Sequence, residues 1–433
     1  MALRKLFSSK SAALFLQQSR GISVSSRCFE TVATSKSEAR PNWDRSVEEA
    51  IKCVGYQTPY LTLRYLTNDE DVHWMEHMEK LEGSNHPMCE TAKILLAQGK
   101  ANVNQMWGLV VLLVSKMAGY PTDAVWQESE FDKDTGILKS QRTLAEAVEI
   151  TSSANEIHRD GILNMQHYQV NGLPTQDGDS LLVFGNKIAI LGADILLGYA
   201  SIQFSKLRAY QANILLTTAG RDVGDSNFIG DRDIQNNPLP SNPFEKLEMQ
   251  KLNPELFEEV SIDQIDNTLP FKLHDVMGTA EQEWRLRHTL AGGTLLGKSC
   301  QAALILAKHN EEKQKEIYFM GKHMYLGYRA AKDLSIFRSE ELPANGKFSL
   351  VSAPVLYHIE EDPSLYDEIK KGLDTIENID FAKIHKIVRN GPGMDKTKEL
   401  LNKNNLIAFT LLHKFPKSDS QRAIENLILS LER

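Results

Sequence analysis

The sequence predicts an all-α fold, one large helical bundle, on three observations. Apolar residues recur at three- and four-residue steps over most of the chain, as in "NVNQMWGLVVLLVSKMAG", "LAEAVEITSSANEIHRDGIL" and "GNKIAILGADILLGYASIQFSKLRAYQANILL". No alternating apolar–polar run is long enough to build a sheet. The apolar content of 42% and charged content of 24% are those of a folded globular chain. With 433 residues the chain could hold two or three domains or one large core; the continuous helical pattern favours the second.

The first segment stands apart. "MALRKLFSSKSAALFLQQSRGISVSSRCF" is Ser-rich, carries Arg4, Lys5, Lys10, Arg20 and Arg27, and has no acid before Glu30. That is the composition of a mitochondrial transit peptide, expected over residues 1–35 and removed in the matrix, with the folded domain spanning 41–433. From Trp43 to about Gly220 the pattern is helical. "MWGLVVLLVSKMAG", Met106 to Gly119, falls short of the ~18 residues of a membrane span and contains Lys116, so it predicts a buried core helix. Residues 221–270 turn polar, acidic and rich in Asn, Gly and Pro, which predicts a long surface insertion with short helices at most. Helical pattern resumes from Gly278 to Phe337. A loop at "SEELPANGKFSLVSAP" then leads to helices near Ser364–Leu373, Asp380–Val388, Lys396–Leu412 and Ser420–Glu432.

Charge and cysteines narrow the function classes. A net charge of −8 gives no basic stripe for nucleic acid. Cys28, Cys53, Cys89 and Cys300 have neither metal-ligand nor disulfide spacing.

Two local motifs mislead. "EIHRDGIL" contains the His-Arg-Asp of a kinase catalytic loop, but that loop needs Asn five positions after its Asp, where Met165 stands; no Asp-Phe-Gly follows. "GGTLLGKS", Gly292 to Ser299, satisfies the P-loop pattern in full. Its mechanism requires a buried strand running into the loop, whereas "TAEQEWRLRHTLA" before it is polar and helix-periodic. Lys298 and Ser299 could still serve a diphosphate on another scaffold.

Read together, "LAEAVEITSSANEIHRDGIL", "GNKIAILGADILL", "GKSCQAALILAKH" and "GKHMYLGYRAAKDLSIF" resemble, in order and spacing, the trans-prenyl (polyprenyl) diphosphate synthases. The likeness covers nearly all of the chain after the leader. "FGNKIAIL", "GKSCQAA", "LAKH" and "GKHM" resemble the divergent second-subunit branch associated with mitochondrial decaprenyl-diphosphate synthesis.

The resemblance implies an isoprenoid-synthase helical bundle and a definite chemistry. Such enzymes join isopentenyl diphosphate to an allylic diphosphate. Mg²⁺ neutralises the leaving pyrophosphate, and two Asp-Asp-x-x-Asp motifs on facing helices supply the hard oxygen ligands it prefers. In register with that pattern, the first motif falls on Arg159, Asp160 and Leu163, and the second on Lys332, Asp333 and Ile336. Six carboxylates have become two carboxylates, two cations and two aliphatic groups, so the six positions carry no net charge. Tyr328-Arg329 stand where the family has Phe-Gln, and Val170-Asn171 where an Arg pair follows the first motif. The basic Gly-Gly-Lys-Arg-x-Arg diphosphate motif is reduced to Gln98-Gly99-Lys100-Ala101-Asn102-Val103. Gly185, Asn186, Lys187, Ala189, Asp194, Glu149 and the "SAPVL" stretch fit the family scaffold as packing and capping positions; His158 reads as a hydrogen-bonded core or interface side chain.

These readings imply a chain with no intact catalytic motif and no metal of its own, in which Lys100, Lys298 and Ser299 are the candidate relics of diphosphate contacts. The implied role is the non-catalytic, regulatory or stabilising subunit of a heteromeric polyprenyl diphosphate synthase that makes the ubiquinone side chain. The partner, in a heterotetramer, would carry the Mg²⁺ and both intact motifs, with peripheral contact to the inner membrane. Alternatives are an active homodimeric prenyltransferase with a rebuilt metal site, an isoprenoid-binding protein and a P-loop NTPase.

Overall fold

Helix α2, Trp107–Ala118, is apolar on every side, and that dictates its place: nearly all of its residues are buried. Helices α1 (Trp43–Val54), α3 (Lys139–Asp160), α8 (Thr294–Leu306) and α14 (Asp419–Ser430) enclose it. The computed structural model describes residues 42–55, 106–122, 124–132, 136–160, 175–233, 237–252, 278–343 and 346–431. Residues 1–35, the expected leader, lie outside that set. The described helices belong to one compact unit, Pro41–Arg433. Among the described residues there is no strand, only the isolated bridges Phe131↔Leu138 and Arg232↔Pro238, so the predicted all-α class holds. No helix there is long and apolar enough to cross a membrane.

The remaining helices are α4 (Thr175–Lys206), α5 (Tyr210–Ser226), α6 (Pro243–Leu252), α7 (Ala280–His288), α9 (Glu311–Arg338), α10 (Ala353–Glu361), α11 (Leu365–Lys370), α12 (Phe381–Arg389) and α13 (Gly393–Leu412). The long third sequence stretch is divided between α4 and α5. Helix α9 is the axial element. At 28 residues it is about 42 Å long, and it starts on an Asn310 cap whose side chain accepts from the Lys313 amide at 3.0 Å. It packs along α8 and α13 and touches α7, α10, α12 and α14.

The main core joins α1, α2, α3, α8, α9, α13 and α14 through residues such as Leu112, Val148, Leu304, Met320 and Ile424. A second core gathers Phe337, Val355, Ile369 and Ile384 around the end of α9, and a third links Trp284, Leu334, Leu356 and Leu401.

Two glycines let α8 and α9 approach closely. A Cβ on Gly297 would meet the Tyr318 backbone oxygen at 2.8 Å, and one on Gly321 would meet Gly297 Cα at 3.2 Å and Cys300 Sγ at 3.1 Å.

Two sequence expectations are corrected. The described part of the 221–270 segment, residues 221–233 and 237–252, is partly packed into the fold rather than wholly on the surface. Its first residues finish α5, and α6 adds a ten-residue helix. Ile229 and Leu239 are each 1% exposed, sealed by Arg287, whose guanidinium donates to the Ile229 carbonyl at 2.9 Å and the Leu239 carbonyl at 3.1 Å. The "SLVSAP" loop ends earlier than its small residues suggest. Ser352 caps α10 in extended conformation, and Pro354 sits in its first turn, where a missing N–H costs nothing.

Gly297→Val should cost about 1–3 kcal/mol by forcing these two backbones apart, read as a lowered urea midpoint. Gly198→Ala, at an exposed position with nothing within 4 Å, should raise that midpoint slightly.

Candidate functional site

Both degenerate motifs sit where helices converge. The His158-Arg159-Asp160 triplet is the last turn of α3, helical rather than looped as a kinase site requires. The second motif lies in the last two turns of α9. The charges of Glu156 and Arg159 on α3 act on Tyr328 of α9, and those of Arg159 and Arg329 on His288 at the end of α7. Leu163 lies outside the described residues, as do Lys100, Gln98–Val103 and Val170-Asn171.

Asp333 holds the structure together at this point. Its Oδ2 accepts from the Trp284 indole at 2.8 Å and from the Ala353 amide at 2.9 Å. Its Oδ1 stands 3.8 Å from an Arg329 nitrogen. The carboxylate is 2% exposed, and burial raises its pKa against the opposing pull of Arg329 and the two donors. Lys332 is exposed, its ammonium 5.6 Å from the centre of the Tyr328 ring. Ile336 packs against the second core. Mg²⁺ needs several free hard oxygens, and these residues do not fit it: cations stand at two of the positions and the surviving α9 carboxylate is bonded elsewhere. Among the described residues no group of three or more His, Cys, Asp or Glu could hold a metal ion.

Lys298, expected as a candidate diphosphate relic, has a structural position. Its side chain is fully buried, with Nζ 2.5 Å from Asp222 Oδ2 and 3.1 Å from Thr218 Oγ1. Burial lowers its pKa and the Asp222 carboxylate opposes that shift. An ammonium enclosed in this way joins α5 to α8 and is not presented to a ligand. Ser299 is likewise fully buried. The P-loop reading fails with them: Gly292 and Gly293 lie in a π-helical turn, Thr289–Gly293, that runs straight into α8. Gly292 is needed there because a Cβ would collide with the Tyr325 ring at 2.3 Å.

Glu149 and His158 complete the α3 face. Glu149 is fully buried, and its Oε2 accepts from the Gly108 amide at 2.8 Å. Burial, opposed by that bond and reinforced by Glu156, pushes its pKa up to about 8. His158 Nε2 lies 3.3 Å from Asp194 Oδ1 and 3.4 Å from the Ile190 carbonyl, tying α3 to α4. It is an interface histidine, about one-third exposed.

Sequence reading missed Trp284, Asp222, His288 and the cluster in which Glu283 takes Lys246 at 2.6 Å and Arg287 at 3.0 Å. Burial alone would raise the Glu283 pKa, but the two cations hold it below its usual value. A tryptophan and several charges inside one short polar helix, "AEQEWRLRH", were the available signal.

Two outcomes follow for stability. Asp333→Ala leaves the Trp284 and Ala353 donors buried without acceptors and should cost about 2–6 kcal/mol, measured by chemical denaturation. Glu149 loses its proton near 4.5 when unfolded and near 8 when folded. Between those values the folded state holds the extra proton, so its contribution to stability falls as pH rises. Glu149→Gln should therefore be relatively more stable at pH 8 than at pH 5 when urea midpoints are compared with the parent chain.

No family model matches the chain. It is 31% identical over 404 residues to the mouse all trans-polyprenyl-diphosphate synthase PDSS2, covering 92% of this chain and 89% of that one. The mitochondrial hexaprenyl pyrophosphate synthase of Saccharomyces cerevisiae is 27% identical over 322 residues, covering 70% of this chain and 65% of the yeast protein. In structure it is similar to heptaprenyl diphosphate synthase from Staphylococcus aureus, with a TM-score of 0.56 at 14% identity, covering 91% of this chain and 99% of that one. The resemblance read from the helical segments and the full-length likeness agree: the chain belongs to the trans-polyprenyl diphosphate synthase family.

Proposed function

We propose that this chain is the non-catalytic, supporting subunit of a mitochondrial heteromeric all-trans-polyprenyl diphosphate synthase of decaprenyl type, which makes the ubiquinone side chain. The observation that carries the reading is Asp333. A carboxylate that must ligate Mg²⁺ cannot also cap α10 and hold the Trp284 indole through the same oxygen. With Arg159 and Lys332 standing where the two motifs would carry carboxylates, and Arg329 beside Asp333, such a site would repel a metal cluster instead of assembling one. Ionisation of an allylic diphosphate is assigned to the partner, which brings intact Asp-rich motifs and Mg²⁺ in a heterotetramer. The mitochondrial assignment draws on the relatives named as mitochondrial hexaprenyl synthases and on the basic, acid-free leader.

An association role also needs a surface. On α4, Leu191, Ile195 and Ile202 recur at steps of four and seven and so share one face; Leu191 is 47% exposed and Ile202 52% exposed. Exposed Gly198 on the same face permits close approach of another helix, and Ile214 on α5 is also exposed. Apolar residues standing in a row on an open helix are the mark of a subunit interface.

The test compares the chain alone with the chain co-purified with a synthase bearing both intact motifs. The solitary chain should incorporate no isopentenyl diphosphate, and the pair should make long products in a Mg²⁺-dependent way. Incorporation by the solitary chain that disappears in Asp160→Ala would overturn the reading in favour of a rebuilt metal site. Ile195→Asp combined with Ile202→Asp should abolish co-purification while leaving the circular dichroism of the isolated chain unchanged.

A further inference from the structure

Helix α4 turns Ala193, Leu196 and Ala200 inward onto Ile150 and Ala154 of α3, which leaves its opposite side open. Along that side, at steps of three and four residues, stand Lys187, Leu191, Ile195, Gly198, Ile202 and Lys206. All six are exposed, and nothing lies within 4 Å of a Cβ built on Gly198. The row is apolar in its middle and ends in an ammonium at either side. Lys206 is the last residue of the helix, and Lys187 lies about 28 Å from it along the axis.

The spacing of these six residues is symmetric about a point between Leu196 and Leu197. Two copies of α4 crossing antiparallel at that point bring Leu191 against Ile202 and Ile195 against Gly198, each contact occurring twice about the two-fold axis. A branched side chain over a bare glycine is a close fit. The same register sets Lys187 of one copy opposite Lys206 of the other, again twice. Ammonium groups are then held in like-charged pairs at both rims of an apolar contact, which disfavours association. Asp194, the acid on this side of α4, lies 3.3 Å from His158. It is about 10 Å of helix from the nearest lysine of either copy, beyond a Debye length at physiological salt, and does not neutralise these pairs.

We propose that the open face of α4 excludes a second copy of this chain and takes a helix of a different one, apolar at its centre and carrying a carboxylate opposite each of Lys187 and Lys206. This rests on the supporting-subunit reading and specifies the chemistry of the partner's face. A single exposed ion pair at a rim contributes little. The difference between like and opposite charges at both ends, however, decides which of two otherwise similar apolar faces binds. The two lysines therefore set partner choice, while Leu191, Ile195 and Ile202 supply the buried area.

Sedimentation velocity of the full chain alone tests the register. The parent should remain monomeric at micromolar concentration. Lys187→Glu sets a carboxylate opposite Lys206 of the second copy at both ends, so it should self-associate roughly ten- to a hundredfold more tightly; Lys206→Glu should do the same. Combining the two changes restores like charges at both ends and should return the chain to a monomer. These positions are exposed, so all three variants should keep the parent's circular dichroism and melting temperature. In co-purification with a synthase bearing both intact motifs, each single change should weaken pairing by about tenfold and the double change by more. Three results would each overturn the proposal: a parent chain that dimerises at micromolar concentration, single variants that stay monomeric, or a double variant that dimerises as well as the singles. Charge swaps that behave as expected while no such synthase co-purifies would overturn the supporting-subunit reading alone.

Discussion

The pairing of one buried carboxylate with two donors determines much of this molecule. Asp333 sits near the C-terminal end of α9 and receives both the Trp284 indole of α7 and the first amide of α10. Ser352, the residue before α10, offers no side-chain cap of its own, so the helix N-terminus takes its anion from a neighbouring helix. Trp284, with no exposed surface, is thereby fixed in orientation as well as position. Three helices depend on a charge that burial disfavours. The cost is met by charge-assisted hydrogen bonds and by Arg329 close by. A residue so placed cannot turn toward a metal without releasing α7 and α10.

The same replacement of ligand chemistry by packing recurs at Lys298. In the sequence it completes a phosphate-binding pattern; in the fold it is enclosed with Asp222 and Thr218, 76 and 80 residues earlier in the chain. A buried pair of this kind contributes little net stability relative to an apolar one, but breaking either half leaves an uncompensated charge. It fixes how α5 lies against α8. Around these two anchors the backbone crossings of a prenyl synthase are retained, with Gly297 and Gly321 letting α8 and α9 touch. The fold has been kept while the electrostatic sign of the site has moved away from metal binding.

Local pattern made the helices legible. The period of three and four placed α2 to within a residue at each end and the C-terminal end of α13, and found α3 and the helical stretch that contains α9 without their ends, because each buries an apolar face. It failed at α10, where Ser, Pro and Ala look like a loop although Pro354 opens a helix. It also failed at 221–270, whose polar composition hid Ile229 and Leu239; their burial depends on Arg287, distant in sequence. The loss of the Asp-rich motifs could be read from spacing alone. What Asp333 does instead could not, because its partners are Trp284 and Ala353, 49 residues before and 20 after it. Nor could the fate of Lys298, since a motif states which residues are present and not which neighbour faces them.

The central claim is that the surviving aspartate of the second motif is structural, and Asp333→Asn tests it most directly. The amide oxygen of Asn can still accept from Trp284 and Ala353, but it is a poor Mg²⁺ ligand beside a carboxylate. The measurement is the rate of long-chain product synthesis by the assembled pair carrying this change in the present chain. The account predicts an intact complex with synthesis within about twofold of the parent, a change of under about 0.5 kcal/mol in the barrier. A complex that still assembles but loses synthesis by orders of magnitude would contradict it and return Asp333 to the metal.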